Sequence, residues 1–214
     1  ARLSSIKSDG YIDRASSDLK SYFVSGGYHS GKTSITALVF GGKEVTYQSW
    51  NGIDSATLET ERTFNSAGAI YDENWNVTSY YDNEVDNYQQ DHSQLIINQQ
   101  LSEVWLLSFT GHYTYGRGYF ETYKQDADMS EYNMAPVQIG DSTITSTDLI
   151  RRKWLDNHFY GGVTSLQYRK AKIQLTFGAA LNRYVGDHFG RVIWSRYAGN
   201  TNIRHTYYNN QGVK

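Results

Sequence analysis

The chain has 214 residues, with 20 Lys and Arg against 22 Asp and Glu, a net charge of −2 and no cysteine. That balance offers no electrostatic reason to bind nucleic acid, and the missing cysteines exclude disulfides and thiolate metal sites. Nineteen tyrosines, nineteen glycines and a single proline exclude a disordered chain, which would be poor in aromatics.

Residues Arg2–Lys7 open the chain as a first short strand. "YFVSGGY" then alternates Tyr22, Val24, Gly26 and Tyr28 against Phe23, Ser25 and Gly27. "TSITALVFGG" places Ile35, Ala37 and Val39 on one face, although Leu38 and Phe40 blur the other. "SQLIINQQL" sets Leu95, Ile97 and Leu101 against Gln94, Asn98 and Gln100. "VWLLSFTGHYTYGRGYF" puts Trp105, Leu107, Phe109, Gly111, Tyr113 and Tyr115 on one side and Ser108, Thr110, His112 and Thr114 on the other. "FYGGVTSLQY" over Phe159–Tyr168 follows. "KIQLTFGAALNRY" is the clearest, with Ile173, Leu175, Phe177, Ala179 and Leu181 against Lys172, Gln174, Thr176, Gly178 and Asn182. Alternation at two residues is the mark of a strand. About seven strands result, and no stretch shows a convincing helix.

The links are of two kinds. "HSGKT" (His29–Thr33), "LSE" (Leu101–Glu103) and "RKA" (Arg169–Ala171) are hairpin-length. Lys43–Asp91, Arg117–Asn157 and the stretch from Val185 onward are long and polar. Because the two kinds alternate between antiparallel strands, short turns fall at one end of the sheet and long loops at the other. A transmembrane β-barrel predicts this, with strands of about ten residues, a lipid-facing apolar side and aromatic girdles at both water interfaces. A soluble sandwich also alternates, but buries the apolar side. The expectation is an all-β fold, an antiparallel transmembrane β-barrel segment, with residues 1–214 as part of one barrel domain.

"SDGYIDRASSDLKSYFVSGGY", "FGGKEVTYQSWNG", "YDNEVDNYQQDHSQL" and "DLIRRKWLDNHFYGG…ALNRYVGDHFGRVIWSRY" resemble the barrel of TonB-dependent outer-membrane receptors, over nearly the whole chain. Members of that family import iron–siderophores, haem or cobalamin. Their large barrel surrounds an N-terminal plug that engages TonB and the inner-membrane energising complex. This chain shows neither plug nor TonB box, and seven strands are too few and odd in number for a bacterial barrel. The resemblance therefore implies a barrel segment in the outer membrane of a Gram-negative bacterium, contacting lipid and lending outer loops to a metal-chelate site. It implies no enzyme and no cofactor. The alternative is a secreted soluble β-sandwich that binds glycans on Trp50, Trp75 or Trp154.

The candidate ligand contacts on the outer loops are Trp75, Tyr80, Tyr81, Tyr119, Arg151, Arg152 and Trp154. Tyr88 belongs to the same aromatic-rich stretch. Arg151, Arg152 and Lys153 beside Trp154 offer positive charge to an anionic chelate or a lipid phosphate. Asp82, Glu84, Asp86 and Asp91 supply oxygen ligands of the type calcium takes, but their spacing lacks the glycine of an EF-hand loop, so a solvated loop is expected. "HSGKT" and "GRGYF" contain fragments of nucleotide-loop motifs without the strand–loop–helix context that makes them work. The six histidines are scattered, with no HExxH; His112 is expected as a hydrogen-bonded residue of the polar face.

Overall fold

The computed structural model describes residues 1–198 and 205–213. The chain is all-β, 70% strand and 5% helix. Eight strands form one antiparallel sheet in the order β1 (Arg2–Ser8), β2 (Ser17–Ser30), β3 (Thr33–Tyr47), β6 (Val85–Gln100), β7 (Trp105–Asp128), β10 (Ser146–Lys170), β11 (Ile173–Ser195) and β12 (His205–Val213). Each main strand pairs with the next one in sequence. Two small hairpins sit inside the long links: β4 (Ala69–Tyr71) with β5 (Val77–Tyr80), and β8 (Val137–Ile139) with β9 (Ser142–Ile144). Among the described residues β1 and β12 do not pair with each other, so the sheet has two open edges and is not a closed barrel.

Several expectations change. The main sheet has eight strands, not seven. The missed one, β12, reads "HTYYNNQGV" and carries no apolar alternation. Several strands are also far longer than ten residues, with 24 in β7, 25 in β10 and 23 in β11. Strand pairing continues into Lys43–Asp91, Arg117–Asn157 and the stretch after Val185, all expected as links. Alternation fades there because both faces become polar or aromatic, while the backbone ladder goes on unchanged. The short links are Gly31–Lys32 and Ala171–Lys172, both shorter than expected, and Leu101–Val104, one residue longer. Gly31 takes φ 54°, as two-residue hairpins favour, and Ala171 takes φ 53° despite its side chain.

One short helix, α1 (Ser55–Thr60), was not expected. It is six residues long, too short to show a periodic stripe, and is held by Asp54, whose carboxylate accepts from Thr57 N at 2.9 Å. A 3₁₀ turn at Met129–Tyr132 is capped in the same way by Asp128.

Register fixes which side chains share a face, since directly paired residues point the same way. Trp105, Leu107, Phe109, Tyr113 and Tyr115 of β7 lie opposite Tyr168, Leu166, Thr164, Tyr160 and His158 of β10. Continuing outward, the same face takes Leu175, Phe177, Ala179 and Leu181 on β11, Leu95 and Ile97 on β6, and Ile35, Ala37 and Val39 on β3. This apolar face is open: Leu181 is 82% exposed, Phe177 59% and Val24 51%. The opposite face carries Ser25, Thr36, Gln94, Asn98, Ser108, Thr110, His112, Gln174 and Thr176. No second large sheet packs on either side among the described residues.

Among the described residues, buried apolar side chains gather at the long-link end. Tyr47, Ala67 and Val85 form one cluster, where the β3–β6 link folds back over the ends of its strands. Met129, Tyr132, Met134, Leu149 and Val192 form the other, under the β7–β10 link.

Candidate functional site

The long-link end of the apolar face changes character beyond Tyr115. Two residues further along β7 comes Arg117, then Tyr119, then Glu121. Register sets Trp154 and Phe189 beside Tyr119, and Arg152 and Arg191 beside Glu121. The three rings lie in a row, Tyr119 tilted against Trp154 at 4.5 Å and Trp154 stacked on Phe189 at 5.8 Å between centroids. The guanidinium of Arg152 lies 4.2 Å from the Tyr119 ring, and that of Arg191 lies 4.8 Å from Phe189. Between them opens a cavity of about 380 Å³ lined by Arg152, Trp154, Arg191 and Ile193. The Trp154 Nε1 is buried without a hydrogen-bond acceptor.

Glu121 anchors this row. It is only 1% exposed and accepts from Tyr81 Oη, Asn83 Nδ2 and Arg152 Nε, each at 2.5 Å. The Glu121 main-chain carbonyl accepts from Gln48 Nε2 at 2.8 Å. A buried carboxylate with three donors, one of them a guanidinium, is a fixed point that ties the β3–β6 link to β7 and β10. Burial, and then the hydrogen bond to Glu121, push the Tyr81 phenol well above its ordinary range.

A second carboxylate lies close by. Glu84 is 5% exposed and accepts from the Tyr123 N–H at 2.9 Å. Burial pushes its acid up to about 7, although that hydrogen bond and the charges of Lys124 and Arg151 act in the other direction. Burial also lowers the Lys124 ammonium.

Of the seven candidate ligand contacts, the fold brings together Tyr81, Tyr119, Arg152 and Trp154. Arg151 points to the opposite face, where its Nη1 lies 3.4 Å from the Tyr207 hydroxyl. Tyr80 lies beneath the Arg14 guanidinium, 3.4 Å from the ring centroid. Trp75 stands apart on the β4–β5 hairpin, 81% exposed and next to Tyr71. The sequence reading missed Glu121, Phe189 and Arg191. Their positions carried a signal: all three share the parity of the aromatic face, and a carboxylate at such a position calls for a cation.

The suggested calcium ligands do not converge. Glu84 is buried on Tyr123, and Asp91 is held by Arg117 at 2.8 Å and by the Tyr22 hydroxyl at 2.9 Å. No cluster of three or more acidic, histidine or cysteine side chains fit to hold a metal exists among the described residues. The polar face holds His112, 2.9 Å from Asn182 Oδ1, as a hydrogen-bonded residue. His92 stacks on Phe40 at 4.5 Å and bonds Thr114 at 2.9 Å. Beside them a cavity of about 550 Å³ is lined in part by Phe40, Tyr88, Gln90 and His92.

No known protein family matches the chain, and no curated protein matches it either.

Proposed function

We propose that this chain is a stretch of the wall of an outer-membrane β-barrel receptor of the TonB-dependent kind, and that β1 and β12 pair with further strands of the same barrel. The observation that carries this reading is the exposed apolar band on one face of a single-layer sheet. A chain in water would have to cover it. A soluble sandwich would bury these residues against a second sheet.

The dimensions support the bilayer. Ten residue steps separate Trp105 from Tyr115, about 34 Å along an antiparallel strand. A strand tilt of about 40° turns this into about 26 Å of height, close to the apolar band of outer-membrane barrels. Trp105 and Tyr168, 4.9 Å apart, mark the short-turn border. Tyr22, Tyr113, Tyr115 and Tyr160 mark the long-link border. The polar face then turns toward a water-filled or plugged interior, and the strand extensions stand outside the membrane. There the chain lends its loops to the capture of a metal chelate, with an iron chelate as the favoured cargo. The plug, TonB and the inner-membrane energising complex belong to the rest of the receptor. The chain performs no catalysis on this reading.

This stretch has no native cysteine, so a label placed within it after removal of any cysteine elsewhere in the receptor reports on it alone. Single cysteines placed from Leu175 to Asn182 are labelled with an environment-sensitive dye in the membrane-embedded receptor. Emission shifted to the blue at 175, 177, 179 and 181, and not at the residues between, supports the reading. Uniform water-like emission, or a protein recovered without detergent, refutes it.

A further inference from the structure

One position on the apolar side breaks a rule of strand pairing. Lys20 of β2 and Lys43 of β3 are direct cross-strand neighbours on the same face. Like charges so placed repel. Among the described residues neither ammonium has a carboxylate within ion-pair distance. The two nearest on this face are engaged elsewhere: Asp18 pairs with Lys7 at 3.2 Å, and Asp91 takes Arg117 at 2.8 Å, the Tyr22 hydroxyl at 2.9 Å and Gln89 at 3.2 Å. Both lysines are exposed. They border a cavity of about 500 Å³, whose wall also includes Leu3, Ser5, Tyr22 and Gln89. Ser5 pairs with Lys20, and Gln89 with Lys43, so the two ammonium groups are flanked by hydroxyl and amide donors in one row.

The location gives the unpaired charge a purpose. Lys20 is two residues beyond Tyr22 on the same face, about 7 Å further from the apolar band. Lipid headgroups lie at that level when the band sits in hydrocarbon. We infer that Lys20 and Lys43, with Ser5 and Gln89, form a binding site for the phosphate of a membrane-lipid headgroup. The inference rests on the membrane reading. Two ammonium groups and two neutral donors match the several acceptor oxygens of a phosphate monoester. Leu3, 84% exposed beside them, offers an apolar contact to the attached acyl chain.

The experiment uses the full-length receptor in phosphatidylcholine vesicles, titrated with phosphatidic acid and, separately, with inorganic phosphate. Wild-type protein is expected to bind phosphatidic acid, and K20Q/K43Q to bind it about thirtyfold more weakly, from the attraction each lysine has for an anionic headgroup. K7Q, which removes a lysine already paired to Asp18, is expected to match wild type. The double substitution removes a repulsion, so membrane insertion is expected to be unchanged. Equal phosphatidic acid binding by wild type and K20Q/K43Q, both inserted in the membrane, overturns the site while leaving the membrane reading intact. Inorganic phosphate binding as tightly as phosphatidic acid overturns the lipid assignment. A protein that never enters the membrane fraction overturns both.

Discussion

Leu181→Arg and Ala180→Arg separate water from hydrocarbon within one strand. The two positions are adjacent on β11 and point to opposite faces, opposite Gly162 and Val163 of β10. Leu181 lies about midway between the two aromatic borders and is 82% exposed. In water, a side chain that open leaves its surroundings indifferent to replacement, and the change is worth within about 0.5 kcal/mol. At the middle of a bilayer, arginine on the lipid face of a barrel costs about 2–4 kcal/mol. That range is roughly a 30- to 700-fold change in the folding equilibrium. Arginine at 180 enters the polar interior and is expected to cost less than 1 kcal/mol, the value for positions near water. The assay is urea-dependent folding of the receptor into phosphatidylcholine vesicles, followed by the mobility of the folded band on gels. A shift below 0.5 kcal/mol for Leu181→Arg, or an equal loss for Ala180→Arg, refutes the assignment of the faces.

Glu121→Ala strands the Arg152 guanidinium, the Tyr81 hydroxyl and the Asn83 amide together; a loss of about 3 kcal/mol is expected, at the low end for a broken buried pair because Arg152 keeps some solvent access. Faster proteolysis confined to residues 48–84 is the readout. Glu84 sets a pH dependence: its folded value of about 7 lies above the ordinary 4.5, so its contribution is fully present below about pH 4.5 and is lost as pH rises through 7. Unfolding free energies from urea titrations between pH 4.5 and 7.5 are expected to fall by at most about 1.4 kcal/mol per pH unit, and Glu84→Gln is expected to flatten that slope. Gly118→Ala is expected to destabilise by about 1–3 kcal/mol, because the new methyl would fall on the Asn87 carbonyl and within 2.6 Å of Tyr88 Cα, both backbone. Gly116→Ala meets the Tyr88 hydroxyl instead, a side-chain tip that swings aside, so thermal melts are expected to rank it as the milder change.

The sequence exposed the part of the fold governed by a contrast of solvents. Between Trp105 and Tyr115, or Ile173 and Leu181, one face must be apolar and the other polar, and that demand writes a two-residue period into the chain. Beyond Tyr115 the demand ends. Arg117, Tyr119 and Glu121 still alternate with Gly116, Gly118 and Phe120, but one set mixes charge with a ring and the other glycine with a ring, so no hydrophobic period marks the strand. β12 was invisible for the same reason. The candidate site was half legible. Tyr119, Arg152 and Trp154 stood out as residue types, yet only the β7–β10 register shows that they touch. Trp75 and Arg151 stood out equally and lie elsewhere. Glu121 was passed over because a single glutamate in "GYFETYK" looks like any surface acid until its three donors are known.

The distribution of buried side chains ties these two regimes to stability. Among the described residues, all eight buried apolar side chains lie on or beside the long links, at the ends of the strands they join. None lies in the stretch bounded by Trp105 and Tyr115 or at the positions paired with it on β6 and β10. A single layer of sheet with two solvated faces has no core of its own, and its exposed edges invite further pairing. On the proposed reading the short-turn half takes its burial from a lipid bilayer that covers one whole face. The long-link half builds its own cover: the β3–β6 link on one side, fastened by Glu121 and Glu84, and the β7–β10 link on the other, packed on Leu149 and Val192. This division explains why the two ends should fail separately. Substitutions at Glu121 are expected to loosen residues 48–84 without affecting membrane insertion, and substitutions at Leu181 are expected to block insertion with the loops left intact. If Glu121→Ala abolished insertion, the two halves would be one cooperative unit, and the bilayer would not be what holds the lower sheet.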